Sequence, residues 1–198
     1  MESIFGQSPS AGAISPSAGC GIDRLTVEET PGLPSSNEAQ SSLSHVDGIG
    51  KAKMVDVSSK DHGKRIAAAS CRVLLGQHAF SLVAANRIAK GDVLNVAKIA
   101  GIQGAKRTSD LVPLCHNISL DRVDVSLALN EDDYSVEIVG EVAATAKTGV
   151  EMEAMTAAAV AGLTVYDMCK AAAKDIRITD VRLEWKIGGK SGGWSRKQ

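Results

Sequence analysis

The chain has 198 residues, 44% hydrophobic and 23% charged, the make-up of one globular domain with or without a tail. A formal net charge of −1 excludes a general nucleic-acid coater, and no apolar run approaches the ~20 residues that a membrane-spanning helix needs. Six scattered aromatic residues cannot build a base-stacking platform, and the four cysteines (Cys20, Cys71, Cys115, Cys169) form neither a CxxC pair nor a zinc knuckle, so reduced thiols are expected.

Residues 1–44 hold four of the five prolines, ten serines, five acids and one basic residue. Apolar residues there are sparse and without period, so ordering them would cost backbone entropy with little burial to offset it, and a disordered extension is expected. A mitochondrial presequence should be rich in arginine and poor in acids, the reverse of this segment. Residues 45–187 have the size and apolar content of an independently folded domain. Residues 188–198, opening Gly188-Gly189-Lys190-Ser191-Gly192-Gly193, read as a flexible glycine-rich tail.

In chain order, Arg65–Leu75 is the first candidate element. Its alanines suit a helix, but Cys71, Val73 and Leu75 alternating with Ser70, Arg72 and Leu74 suit a strand, and strand is preferred. Gln77–Ala89 and Asp92–Ser109 read as helices, the second opened by Asp92 as N-cap. A hairpin follows: Val123, Val125, Leu127 and Leu129 alternate with polar or small residues. After a turn at 130–133, so do Tyr134, Val136, Ile138 and Val142. The segment from about Val150 to Ala173 is alanine- and methionine-rich, lacks proline and is predicted helical, with Lys170 and Lys174 suited to the negative end of its dipole. A final strand spans roughly 176–186, with a bulge expected near Thr179-Asp180 where the apolar parity slips. The order β-α(α)-β-β-α-β predicts an α+β, ferredoxin-like sandwich, an antiparallel sheet covered on one face by helices.

Several segments could carry chemistry. Gly101-Ile-Gln-Gly104-Ala-Lys106-Arg107 lacks the spacing of a phosphate-binding P-loop, and close helix packing accounts for its glycines better. Pro113-Leu114-Cys115-His116 lies between a helix and a strand, where loop ends commonly carry sites. Asp167 and Lys170, three apart, share a helix face. They are either a surface ion pair or a catalytic pair in which burial or a second cation depresses the lysine pKa, and their apolar neighbours favour burial. Acids at Glu151 and Glu153 are accounted for by the dipole of a helix first turn.

Taken together, the order His45-Val-Asp47, Met54-Val-Asp56-Val-Ser58, Lys90-Gly-Asp92, Ile99-Ala-Gly101-Ile, Ala105-Lys-Arg-Thr108, Pro113-Leu-Cys-His116, Lys147-Thr-Gly-Val-Glu-Met-Glu153 and Tyr166-Asp-Met-Cys-Lys170 resembles the cyclic pyranopterin monophosphate synthases, the MoaC-type enzymes of molybdenum-cofactor biosynthesis. The resemblance covers essentially all of residues 45–190. Asn117 stands where the family usually has proline, and Ile187 interrupts a tail usually closer to Lys-Ser-Gly-Gly-Lys-Ser-Gly.

The resemblance implies a lyase that converts 3′,8-cyclo-7,8-dihydroguanosine 5′-triphosphate to cyclic pyranopterin monophosphate with release of pyrophosphate. It implies Asp167, Lys170 and Lys90 as catalytic residues. Leu114, Cys115, His116, Met152 and Glu153 would contact substrate, with Arg65, Lys106 and Lys186 as further members of the polar site. It also implies a homohexamer, a trimer of dimers, with the active site between subunits, and an upstream radical enzyme as pathway partner. That partner must be separate, since no CxxxCxxC motif is present. No nucleic acid or membrane is expected as a partner. No carboxylate cluster demands a metal, although a triphosphate commonly brings Mg2+. The family works in the bacterial cytoplasm and the mitochondrial matrix. The low-complexity extension favours a eukaryote and hence the matrix, with cytoplasm as the alternative. The rival reading is a non-catalytic, nucleotide-binding regulatory module of the same fold, which would bind nucleotide without releasing pyrophosphate.

Overall fold

A computed structural model of the chain describes residues 51–190 and 192–197. The expected 1–44 extension and the His45-Val-Asp47 segment lie outside the described residues. Strand β1 (Gly63–Leu74) is followed by helices α1 (Gln77–Ala84), α2 (Val93–Ala105) and the short α3 (Thr108–Leu111). The hairpin β2 (Arg122–Asn130) and β3 (Ser135–Ala146), the long helix α4 (Glu151–Cys169), β4 (Arg177–Ile187) and the two-residue β5 (Trp194–Ser195) complete the order. The strands form one antiparallel sheet in the order β2-β3-β1-β4-β5. The first four reproduce the predicted ferredoxin-like plan.

Strand β1 resolves the ambiguity of its alanines. It is the inner strand, paired with β3 and β4, and Ala67, Cys71 and Val73 face the helices among the buried residues. Helix α4 packs over β1, β3 and β4 and α2 over β2, so one face of the sheet is covered. The buried side of α4 is made of Ala154, Ala157, Ala158, Ala161 and Val165, small residues that let the helix axis approach the sheet.

Glycine at 101 extends that closeness to the α2–α4 contact. A Cβ placed there would lie 2.8 Å from the Ala157 carbonyl oxygen and 3.2 Å from the Val125 and Ala161 side chains. The segment 101–104 is thus a helix-packing surface, not a phosphate loop. Gly101→Ala would gain about 1 kcal/mol of helix propensity, but the backbone it meets cannot rotate away, and overpacking of this kind costs about 1–3 kcal/mol or more. A lowered melting temperature is the expected net result. An unchanged one would show that the helices separate at no cost.

The structure departs from the predicted elements at several ends. Helix α1 stops at Ala84, short of 89, because the chain turns through Asn86 at a φ of 50°. The second predicted helix divides: α2 ends at Ala105 and a separate turn of helix begins at Thr108. Its Asp92 cap is as predicted, accepting the Asn95 N–H at 3.0 Å. Tyr134 belongs to the hairpin turn, with a φ of 54°, and not to β3. The β4 register slips opposite Ser70–Arg72, where Asp180 has a φ of 55°, as the parity break predicted. A second slip, at Glu184 opposite Ala68/Ala69, was not signalled by the sequence. In the glycine-rich C-terminal segment, Trp194 and Ser195 pair with Lys186 and Trp185, and the Arg196 N–H reaches the Glu184 carbonyl at 2.8 Å.

Candidate active site

Apart from Lys106, the residues singled out from sequence gather at the two ends of α4. At its C-terminal end, Asp167 binds two ammonium groups. Lys90 Nζ, from the loop between α1 and α2, donates to Asp167 Oδ2 at 2.6 Å and to its carbonyl oxygen at 3.0 Å. Lys170 Nζ, at the helix C-cap, lies 2.7 Å from Oδ1. The flanking hydrogen bonds from Lys170 and then Lys90 hold the Asp167 carboxyl down at about 2, so it stays ionised throughout any ordinary assay range.

Two expectations about Lys170 are corrected. Its side chain is 54% exposed, because Val165, Met168 and Cys169 turn inward while 163, 167 and 170 share the outer face. Its pKa is raised, by the hydrogen bond to Asp167 and then by that carboxylate's charge, whereas a depression was expected. Lys90, the second ammonium at this end, binds Asp167 without cancelling its effect on Lys170.

At the N-terminal end of α4 two adjoining recesses share Thr148, Gly149 and Glu151 as a common wall. The smaller, about 450 Å³, is lined by Leu114, Cys115, His116 and Met152, four of the residues predicted to touch substrate. Pro113-Leu114-Cys115-His116 reaches it because the chain turns after α3, the Cys115 N–H bonding the Val112 carbonyl at 3.0 Å. The larger, about 750 Å³, is a basic groove. Lys60, Lys64, Arg65, Lys147, Lys186 and Lys190 line it against Asp61 and Glu151, with His62 alongside. Arg65 projects from the helix-facing side of β1, its Nε 3.3 Å from the Ala146 carbonyl. Lys186, from β4, meets Glu151 at 2.9 Å with both side chains about three-quarters covered. Lys147 donates to the Ser58 carbonyl at 2.9 Å and so ties the 56–62 segment to the rim.

Glu153 is not at the recess surface. Its residue is 3% exposed, Oε1 lies 3.7 Å from Cys115 Sγ, and Oε2 is buried with no partner among the described residues. Burial raises its pKa. The helix dipole alone, which acts on exposed first-turn acids, does not account for a carboxyl placed there. Lys106, at the α2 C-cap, lines neither recess.

Sequence reasoning did not anticipate that Glu151, together with Lys60, His62, Lys64, Lys147 and Lys190, lines these recesses. Individually exposed lysines carry no signal. The one available sign was that Lys147 and Glu151 fall inside the segment Lys147-Thr-Gly-Val-Glu-Met-Glu153. Among the described residues no group of three or more His, Cys, Asp or Glu is placed to hold a metal ion, and no helix is long and apolar enough to cross a membrane.

Comparison with known proteins falls on this same stretch. The sequence profile of the MoaC family matches residues 54–189. The chain is 56% identical over 223 residues to the Arabidopsis thaliana protein named cyclic pyranopterin monophosphate synthase, mitochondrial, covering 99% of this chain and 83% of that one. It is 54% identical to a Streptomyces avermitilis protein named cyclic pyranopterin monophosphate synthase, over 85% of this chain and 95% of the relative. The Drosophila melanogaster molybdenum cofactor biosynthesis protein 1 is 57% identical over 76% of this chain, which spans only 26% of that longer protein.

Proposed function

The chain belongs to the MoaC family, and on that premise we propose that it is the lyase that converts 3′,8-cyclo-7,8-dihydroguanosine 5′-triphosphate into cyclic pyranopterin monophosphate and pyrophosphate, in molybdenum-cofactor biosynthesis. The observation that carries this reading is the pair of joined recesses. A small, largely apolar one suits a base, and the basic groove beside it suits a triphosphate. The substrate carries about four negative charges, and Arg65 and Lys186 lie where they can neutralise the phosphates and the charge that develops on departing pyrophosphate. Mg2+, where it accompanies the triphosphate, would be held chiefly by the phosphates.

The proton chemistry of purine rearrangement falls to Lys170, Lys90 and Asp167. Glu153 and Asp167 are fourteen residues apart, roughly 21 Å along a straight helix. One chain therefore cannot bring both ends of α4 to one nucleotide, and a second copy completes the site. Met152, Leu163, Asp167 and Lys170 lie along one exposed face of α4, with Met152 38% and Leu163 58% exposed, and this stripe suits a like surface. Antiparallel packing of two α4 helices about a twofold axis sets each Asp167 end against the partner's recess and creates two equivalent sites. The partner's groove would then supply the cations that oppose Asp167 and bring the Lys170 pKa towards neutrality. Three such dimers make the hexamer, and the plant relative's mitochondrial designation supports the matrix as its compartment.

The purified chain incubated with the cyclised nucleotide should release pyrophosphate and yield a product that becomes a fluorescent pterin on oxidation. Nucleotide binding without pyrophosphate release would instead establish the regulatory-module reading.

A further inference from the structure

Behind the wall of the smaller recess, Cys115 and Glu153 form a contact for which the reaction so far has no use. Cys115 lines the recess, whereas Glu153 lies beneath it, 97% covered. Glu153 Oε1 faces the Cys115 thiol at 3.7 Å and Oε2 has no partner among the described residues. A buried carboxyl with one oxygen unsatisfied costs folding free energy, and a single weak S–H donor offsets little of it. Stability alone would favour an apolar residue at 153.

We propose that Glu153 is a positioning residue of this site: the Cys115 thiol, donating to Glu153 Oε1, is fixed by the buried carboxyl, whose protonation is thereby joined to the surface that the substrate's base touches. The inference rests on the synthase reading for its catalytic meaning, but the dyad itself does not depend on turnover. Glu153 acts through Cys115. Burial, the largest influence, favours the neutral acid, whereas the residue's own backbone N–H and then the S–H bond favour the ionised carboxylate, so the thiol is one of two donors that lower the pH at which Glu153 gives up its proton. In return, burial and then the Glu153 charge push the thiol up to about 11, which keeps Cys115 a donor at neutral pH. The other groups that bear on the pair are few. Glu151 on α4 raises both pKa values and is itself held by Lys186 of β4, and the His116 backbone N–H favours the Cys115 thiolate. Arg65 of β1 and Lys147 line the groove beyond Glu151.

Two measurements on the full chain test this. Peptide-resolved alkylation of Cys115 by iodoacetamide, followed between about pH 7 and 11, reports the thiolate fraction directly. Glu153→Gln removes the charge that suppresses the thiolate, so alkylation at about pH 8 should be faster by about tenfold, the equivalent of one pK unit. An equal or slower rate overturns the proposal. Because labelling needs no turnover, its failure is distinct from failure of the synthase reading. The second measurement is the pH profile of kcat/KM. Cys115→Ala should move the acidic limb to higher pH, since Glu153 loses the donor that favours its charged form, and Cys115→Ser should restore the parent profile. Superimposable profiles for all three proteins would also overturn it. Should Glu153→Gln fail to fold, the Cys115 variants decide alone.

Discussion

Lys170→Ala is expected to lower kcat by about 10²–10⁴-fold, the usual contribution of a general acid–base group, while the melting temperature stays where it is. Lys170 is half exposed and contributes no core contact. Asp167 retains a second ammonium, Lys90 at 2.6 Å, when Lys170 is removed. Loss of activity with an intact fold therefore isolates chemistry from structure. Lys170→Arg sharpens the test: a guanidinium keeps the charge beside Asp167 but cannot release a proton at any working pH. It should be nearly as inactive as the alanine variant. Substantial activity in Lys170→Arg would mean that only positive charge is needed, and the proton-transfer role would fall.

The second large effect is expected at Lys186. Its ammonium, mostly covered and 2.9 Å from Glu151, lies in the groove assigned to the triphosphate. A charge-assisted hydrogen bond to phosphate contributes about 1.5–3 kcal/mol, so Lys186→Ala should raise KM by about 10- to 150-fold. The loss has two parts. One is the missing bond to phosphate. The other is the Glu151 carboxylate, which no longer has its counter-ion and now repels the substrate. Lys186→Ala combined with Glu151→Gln should therefore bind substrate better than Lys186→Ala alone. Should the double variant bind substrate no better than Lys186→Ala alone, the unpaired Glu151 carboxylate plays no part in repelling the substrate.

Much of the fold was legible because its elements have clean periods. The hairpin alternates with a period of two over 123–142, and α4 has no competing signal. Strand β1 was harder, since alanine at 67–69 is compatible with either state, and only its pairing on both sides fixes it. Helix ends were misjudged where one residue adopts a positive φ, as at Asn86, which no local pattern announces.

The site divides in the same way. Residues that meet through sequence neighbours, such as Asp167 with Lys170, were visible. The error about Lys170 arose from taking apolar neighbours in sequence for apolar neighbours in space: 165, 168 and 169 lie on the opposite face of the helix. Burial of Glu153 depends on the 112–116 turn folding over the start of α4, a long-range contact that first-turn acids do not signal. The basic groove draws its cations from the 60–65 segment, the rim at 147, β4 and the tail, so it exists only once the sheet has formed.

The account depends on one site being shared between two chains, and complementation between variants tests this most directly. Lys170→Ala and Lys186→Ala chains carrying different affinity tags would be co-expressed and the mixed assembly isolated by sequential purification. It would then be assayed at a substrate concentration where neither variant works alone. Paired at random, about half the dimers of such a hexamer contain one chain of each kind, and each of these has one site with both residues intact, so the mixed assembly should regain about a quarter of the parent rate. A mixed assembly no more active than its two parents would place Lys170 and Lys186 in one chain's site and contradict the account.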